Sequence, residues 1–296
     1  MAIFTGSGVA LVTPFDQNNQ VNFDKLQELI EYHIKNSTDA VIVVGTTGEG
    51  STLSEEEHAE VIRQSVAIAA GRIPIIAGTG SNCTETAIQL SKGADRDGAD
   101  AVLVVTPYYN KATQKGMIRH YTAIAQAINI PMIMYNIPGR TGCKMSAETM
   151  AALINGVDNI VGVKEATSDL ELAAKTMLLT NGDCELYSGE DALVVPLLSI
   201  GGQGVISVIA NIAPQETHDM VMEYLQGDRK KAAQMQLEAL PLIDALFSEV
   251  NPIPVKHAMN VMGMNVGSLR APLYEMEPET AAKLEAEMKK YGVQAW

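Results

Sequence analysis

Lys164 stands directly after the apolar run Ile160-Val161-Gly162-Val163. A lysine at the end of a buried strand enters a low-dielectric pocket, where desolvation disfavours the ammonium and lowers its pKa. A neutral amine there can attack a carbonyl and form an imine. The competing reading is a lysine that leaves the strand for water or pairs with Glu165. Tyr135 closes an earlier apolar run, Met132-Ile133-Met134. Its phenol could carry protons during carbinolamine formation and dehydration. An ordinary phenol, with a pKa of about 10, is a poor base alone and needs a relay. Thr47 could supply a hydroxyl and Tyr109 could pass the proton outward; otherwise Tyr135 is a packed core residue. Arg140 follows Ile137-Pro138-Gly139. Its guanidinium matches a carboxylate bidentately, unless it simply reaches water. Gly45-Thr46-Thr47-Gly48 could turn backbone N–H groups toward a small anion such as the carboxylate of a 2-oxo acid, or it is a tight turn that needs positive φ. Gly189 could present its carbonyl to the lysine or to a water.

These residues fall at the ends of short apolar runs, and the runs alternate with longer amphipathic segments. The runs read as parallel strands near Val9–Thr13, Ala40–Val44, Ile73–Ala77, Ala101–Val105, Met132–Tyr135, Ile160–Lys164, Glu185–Ser188 and Gly204–Val208. Helical patterns lie between them, over Phe23–Lys35, Ser54–Ala70, Thr84–Asp97, Gln114–Ile128, Ala147–Ile154, Leu170–Leu179, Ala192–Ser199 and Pro214–Leu225. Ser54 and Glu57 fit a capping box, and Asp24 and Thr84 lie in similar helix starts. Eight strand-then-helix units predict an α/β chain closed as a (β/α)8 TIM barrel, with its active site at the C-terminal ends of the strands. An open doubly wound sheet usually carries a glycine-rich phosphate turn after its first strand. Here that strand ends in Thr13-Pro14-Phe15-Asp16. Helical segments at Arg229–Phe247, Val255–Met262 and Pro278–Tyr291 continue past the eighth unit, with a break at Asn251-Pro252-Ile253-Pro254. The expected organisation is a catalytic barrel over residues 1–226 and a C-terminal helical subdomain over 227–296.

Composition narrows the function classes. The chain of 296 residues carries 21 Lys plus Arg against 35 Asp plus Glu, a formal charge of -14. Such a surface repels phosphate backbones, so nucleic acid is not an expected partner. Cys83, Cys143 and Cys184 are odd in number and far apart, which suits a reducing cytosol better than a disulfide framework. No basic n-region with an apolar h-region opens the chain, and no apolar stretch suits a membrane span. The expected location is cytoplasmic. His33, His58, His120, His218 and His257 are scattered, so no metal site is expected.

The motifs Gly45-Thr46-Thr47-Gly48-Glu49, Tyr135-Asn136-Ile137-Pro138-Gly139-Arg140-Thr141-Gly142 and Val163-Lys164-Glu165-Ala166-Thr167 together resemble the pyruvate-dependent class I aldolases of the N-acetylneuraminate lyase superfamily. Among these the dihydrodipicolinate synthase family is the most similar, and the resemblance runs along nearly the whole chain. It implies a lyase in which Lys164 forms a Schiff base with pyruvate. The derived enamine then condenses with aspartate-4-semialdehyde to 4-hydroxy-tetrahydrodipicolinate, on the route to diaminopimelate and lysine. It implies a relay of Thr47, Tyr135 and Tyr109, with Tyr109 acting in a neighbouring subunit's site. Arg140 would hold the aldehyde's carboxylate. Thr46 and Thr47 would contact pyruvate, and Gly189 and Ile206 would shape the site through their backbone. The implied assembly is a homotetramer, a dimer of dimers. No cofactor is expected, since the imine is itself the electron sink.

N-acetylneuraminate lyases usually carry Ser-Thr at the place of Thr46-Thr47 and lack an arginine at the place of Arg140, so the motifs favour the synthase. A catalytically silent, metabolite-sensing barrel would not need all five reactive groups. In lysine-sensitive relatives the sensing pocket corresponds to Ser51, Glu55, His58, Asn82, Thr86 and Tyr108. Thr86 stands where those relatives place an acidic group for the ligand's ammonium, and its loss removes a charge-assisted bond. Weak or absent inhibition by lysine is the expectation.

Overall fold

The computed structural model describes residues 2–296; Met1, where the expected barrel span and the N-terminal segment begin, lies outside them. Eight parallel strands close a barrel in sequence order: β1 (Gly6–Ala10), β2 (Ala40–Val43), β3 (Ile75–Gly78), β4 (Ala101–Val105), β5 (Met132–Asn136), β6 (Ile160–Glu165), β7 (Glu185–Ser188) and β8 (Gly204–Ser207). Pairing of β1 with β8, from Gly6↔Gly204 to Val9↔Ser207, completes the ring. Between the strands run α1 (Phe23–Lys35), α2 (Glu55–Ala69), α3 (Thr84–Arg96), α4 (Gln114–Ala125), α5 (Pro138–Thr141), α6 (Ala147–Gly156), α7 (Leu170–Leu179) and α8 (Val194–Leu198). Then come α9 (Pro214–Gln226), α10 (Arg229–Leu246), α11 (Ile253–Val261) and α12 (Pro278–Tyr291).

Alternation along the strands builds two cores. Val41, Val43, Ile75, Ala77, Val102, Val104, Met132 and Met134 face outward against the helices. Ala40, Ile42, Ile76, Ala101, Leu103, Ile133, Tyr135, Tyr187 and Ile206 fill the barrel interior. This two-residue period is what places a strand's last residues either inside the mouth or under the helices. At the opposite end, Phe4 stacks on Tyr187 with ring centroids 4.4 Å apart. The Tyr187 hydroxyl donates to the Phe4 carbonyl at 2.8 Å and lies 2.9 Å from Glu185 Oε2. This group packs the interior on the side of the chain's first residues.

Several expected boundaries move for physical reasons. β1 starts at Gly6 rather than Val9, because it pairs with β8 through Gly6, Ser7 and Gly8, which carry no apolar signal. A Cβ on Gly6 would sit 2.0 Å from Asp39 Oδ2. β3 starts at Ile75, after Pro74, which has no N–H for the ladder. β2 ends at Val43 because Val44 turns left-handed at φ 50. The capping box on α2 is present, with Ser54 Oγ accepting from Glu57 N–H. The other two helices start where expected, at Phe23 with Asp24 in the first turn and at Thr84; Asn22 caps α1, whereas Cys83 precedes α3 without a side-chain cap bond. The short α5, read as loop in the sequence, starts on Pro138, whose missing N–H costs nothing at a first turn.

Candidate active site

β5 and β6 pair in register, so Tyr135 lies beside Lys164 at the C-terminal end of the barrel. Both are buried, and Lys164 Nζ is 4.4 Å from the centre of the Tyr135 ring. Burial drives the lysine's pKa down to about 8; the Arg140 charge adds to that, while Asp191 and Glu190 oppose it. The amine is therefore partly neutral near neutral pH, as a carbonyl nucleophile needs to be. Burial moves the Tyr135 phenol the other way, above its ordinary range, with Arg140 partly offsetting the shift. The phenol thus stays protonated at neutral pH and can donate to a developing hydroxyl.

Glu165 is not the lysine's partner. Its carboxylate accepts from Thr167 N–H at 2.8 Å and from Asn136 Nδ2 at 3.2 Å. That removes the bland reading in which Lys164 is simply half of a neighbouring ion pair. Gly189, after β7, allows the approach from the other side. A Cβ there would lie 3.1 Å from Lys164 Cε and 2.7 Å from the Ala166 methyl carbon. Ile206 on β8 is buried in the interior cluster with Tyr135 and Ala166.

The loop after β2 separates the two threonines. Thr46 is exposed at the mouth, where its side chain slightly offsets the upward shift of the Tyr135 phenol. Thr47 is buried, and its Oγ1 accepts from Asn251 Nδ2 at 3.0 Å. Thr46 thus influences the phenol, while Thr47 is held by Asn251. Both lie in the turn that follows β2, and sequence could not choose between two identical side chains. Arg140, on α5, donates from Nη2 to the Asn251 carbonyl at 3.1 Å. Tyr109 has a left-handed backbone at φ 72 and is 89% exposed, so this chain alone does not bring its phenol onto Tyr135.

Sequence reasoning missed Asn251 and the carboxylates Glu190 and Asp191. Asp191 is buried and accepts from the backbone N–H groups of Val208 and Ile209 at 2.9 and 3.0 Å. Its adjacency to Gly189 was the available signal. Asn251 was read only as part of a proline-rich break. Among the described residues, no group of three His, Cys, Asp or Glu side chains is arranged to hold a metal ion. Nor is any helix there long and apolar enough to cross a membrane. Away from the mouth, a depression between α2 and α3 is lined by Glu55, His58, Glu85, Thr86 and Arg96.

The chain is similar to known proteins along its whole length. Residues 3–291 match the family described as the Dihydrodipicolinate synthetase family. A 4-hydroxy-tetrahydrodipicolinate synthase of Lachnoclostridium phytofermentans is 58% identical over 293 residues, covering 99% of this chain and 100% of that one. The solved dihydrodipicolinate synthase of Aquifex aeolicus superposes with a TM-score of 0.96 at 43% identity, covering 99% of both chains. That of Acinetobacter baumannii, a chloride-inhibited form complexed with pyruvate, gives 0.95 at 43% identity, covering 98% of this chain and 99% of that one. Agreement that runs from the barrel floor to the last residue of α12 goes well beyond a shared fold, and the chain belongs to the dihydrodipicolinate synthetase family.

Proposed function

We propose that the chain exercises its family's 4-hydroxy-tetrahydrodipicolinate synthase activity, in lysine biosynthesis, through an imine on Lys164. The neutral amine of Lys164 attacks C2 of pyruvate. The carbinolamine loses water to give the iminium, and loss of a C3 proton gives the enamine. The enamine carbon attacks the aldehyde of aspartate-4-semialdehyde. The substrate's own amine then closes the ring at C2 and displaces Lys164. Tyr135 donates to the leaving hydroxyl, and Thr46 links the phenol toward solvent. Thr46 and Thr47, with the loop amides, hold the pyruvate carboxylate. Arg140 takes the carboxylate of the aldehyde, and the backbone at Gly189 and Ile206 walls the pocket. Tyr109, exposed in the single chain, completes the relay of a neighbouring subunit in a dimer of dimers.

One observation carries this reading: a buried lysine with its pKa held at about 8, stacked over a buried tyrosine. The test is mass spectrometry after borohydride reduction with pyruvate. A pyruvate-derived adduct on the Lys164 peptide is the expected result. No adduct in an active preparation would remove the Schiff-base reading.

The lysine pKa sets the pH dependence of imine formation. Only the neutral amine attacks, so its fraction falls as pH drops below the folded pKa. Cyanoborohydride trapping with saturating pyruvate should slow about tenfold per pH unit below about pH 8 and level off above it. A rate independent of pH between 6 and 8, both approximate bounds taken from the shifted pKa, would contradict a titrating Lys164.

Lysine is proposed to be a weak inhibitor. The depression that holds Glu55, His58 and Thr86 offers a threonine hydroxyl where sensitive relatives place an acidic group. Steady-state rates are expected to stay within about twofold in millimolar lysine, because no charge-assisted bond to the ammonium forms at Thr86. Strong inhibition in that range would show that the pocket binds lysine by other contacts.

A further inference from the structure

Outside the barrel mouth, the most unusual chemistry is a second buried lysine. Lys256 lies on α11 and is 1% exposed. Its Nζ donates to Glu49 Oε1 at 2.7 Å and to the Ser268 carbonyl at 2.8 Å, and sits 4.1 Å from the centre of the Phe15 ring. The Glu49 side chain is as deeply buried, and its Oε2 accepts from Arg270 N–H at 2.9 Å. A buried ion pair contributes little net stability, because desolvation of both charges offsets their attraction. Its geometry is the informative part.

Glu49 ends the loop that carries Thr46 and Thr47. Its backbone is left-handed at φ 51, and its N–H donates to the Thr46 carbonyl at 3.1 Å. Holding the Glu49 carboxylate therefore holds the turn that aims both threonines. Five residues before Lys256, Asn251 acts on the same loop through its bond to Thr47 Oγ1. With that oxygen accepting from an amide, the Thr47 proton is directed away from Asn251 and can be given to an anion. Asn251 Oδ1 has no partner among the described residues although the residue is only 6% exposed. A residue kept for packing alone gains nothing from a half-satisfied buried amide.

We propose that Lys256 and Asn251 are positioning residues for pyruvate, clamping the loop Gly45–Gly50 from the C-terminal helices so that its hydroxyls and amides meet the carboxylate. This rests on the imine reading above. It also makes the C-terminal helices part of the catalytic unit.

The test uses two variants of the full chain: Asn251→Ala, and the double variant Lys256→Met with Glu49→Gln, which leaves no lone buried charge. KM for pyruvate, KM for the aldehyde and kcat are measured, and competent sites are counted by borohydride adduct at saturating pyruvate. The expected result is a pyruvate KM raised about tenfold in each variant, the upper end for one neutral hydrogen bond. The aldehyde KM should change less than about twofold, and adduct stoichiometry should be retained. A purely structural role predicts fewer competent sites with an unchanged pyruvate KM. That outcome, in a background where the wild-type chain forms the adduct, overturns the clamp and leaves the imine standing. Absence of the wild-type adduct removes both.

Discussion

Replacing Lys164 with alanine is expected to abolish the pyruvate adduct and to lower kcat by at least about 10^4-fold, the scale on which covalent nucleophiles act. No neighbour can take its place. Lys256, the other buried lysine, is bonded to Glu49 and the Ser268 carbonyl. Lys144 is bonded to Asp169 at the surface. Tyr135 and Arg140 would remain, so pyruvate would still bind, but without an imine nothing accepts the electrons left at C3 when its proton departs. The fold should survive, because alanine removes a charge whose burial is itself costly. A variant that melts close to wild type and forms no adduct, measured by thermal unfolding and mass spectrometry, is the clean outcome. Retention of more than about a hundredth of wild-type kcat would mean that Lys164 is not the nucleophile.

The second large effect depends on Tyr109. If its phenol completes a neighbouring subunit's relay, Tyr109→Phe and Lys164→Ala proteins should each be nearly inactive alone and active when co-assembled. In a mixed dimer, the subunit that keeps Lys164 receives the intact Tyr109 from its partner. Random pairing of equal amounts would restore about a quarter of the sites, since half the dimers are mixed and each holds one complete site. Co-refolding followed by steady-state assay measures this. No recovery, with mixed assembly verified by native mass spectrometry, would place Tyr109 outside the relay or within its own subunit's site. The exposure of Tyr109 and its strained left-handed backbone are what make the trans reading physical rather than formal.

Much of the barrel was legible because buried parallel strands write near-continuous Val and Ile runs between amphipathic helices. Ala101–Val105 and Glu185–Ser188 were placed at their observed bounds. β1 was displaced because its first half is glycine and serine, chosen for closeness to Asp39 and Phe4 rather than for strand propensity. Lys164, Tyr135 and Arg140 were legible as strand-end and loop residues of reactive type. The division of labour between Thr46 and Thr47 was not, since it depends on which one faces a side chain 204 residues away. Asn251 and Lys256 left no local signal for the same reason. Their partners Thr47 and Glu49 lie in the loop after β2, and long-range pairing of polar side chains has no period to read.

Phe4 and Tyr187 pack together away from the mouth, and in a barrel of this kind the doorway that serves the lysine is the rim at the strand ends. Pyruvate, aldehyde, released water and the cyclic product all pass the same rim, where Arg140 and Thr46 stand. Traffic must then be sequential: the keto acid has to reach the bottom berth before the aldehyde fills the passage above it. An early-arriving aldehyde is an obstruction, and excess of it should slow turnover most when pyruvate is scarce.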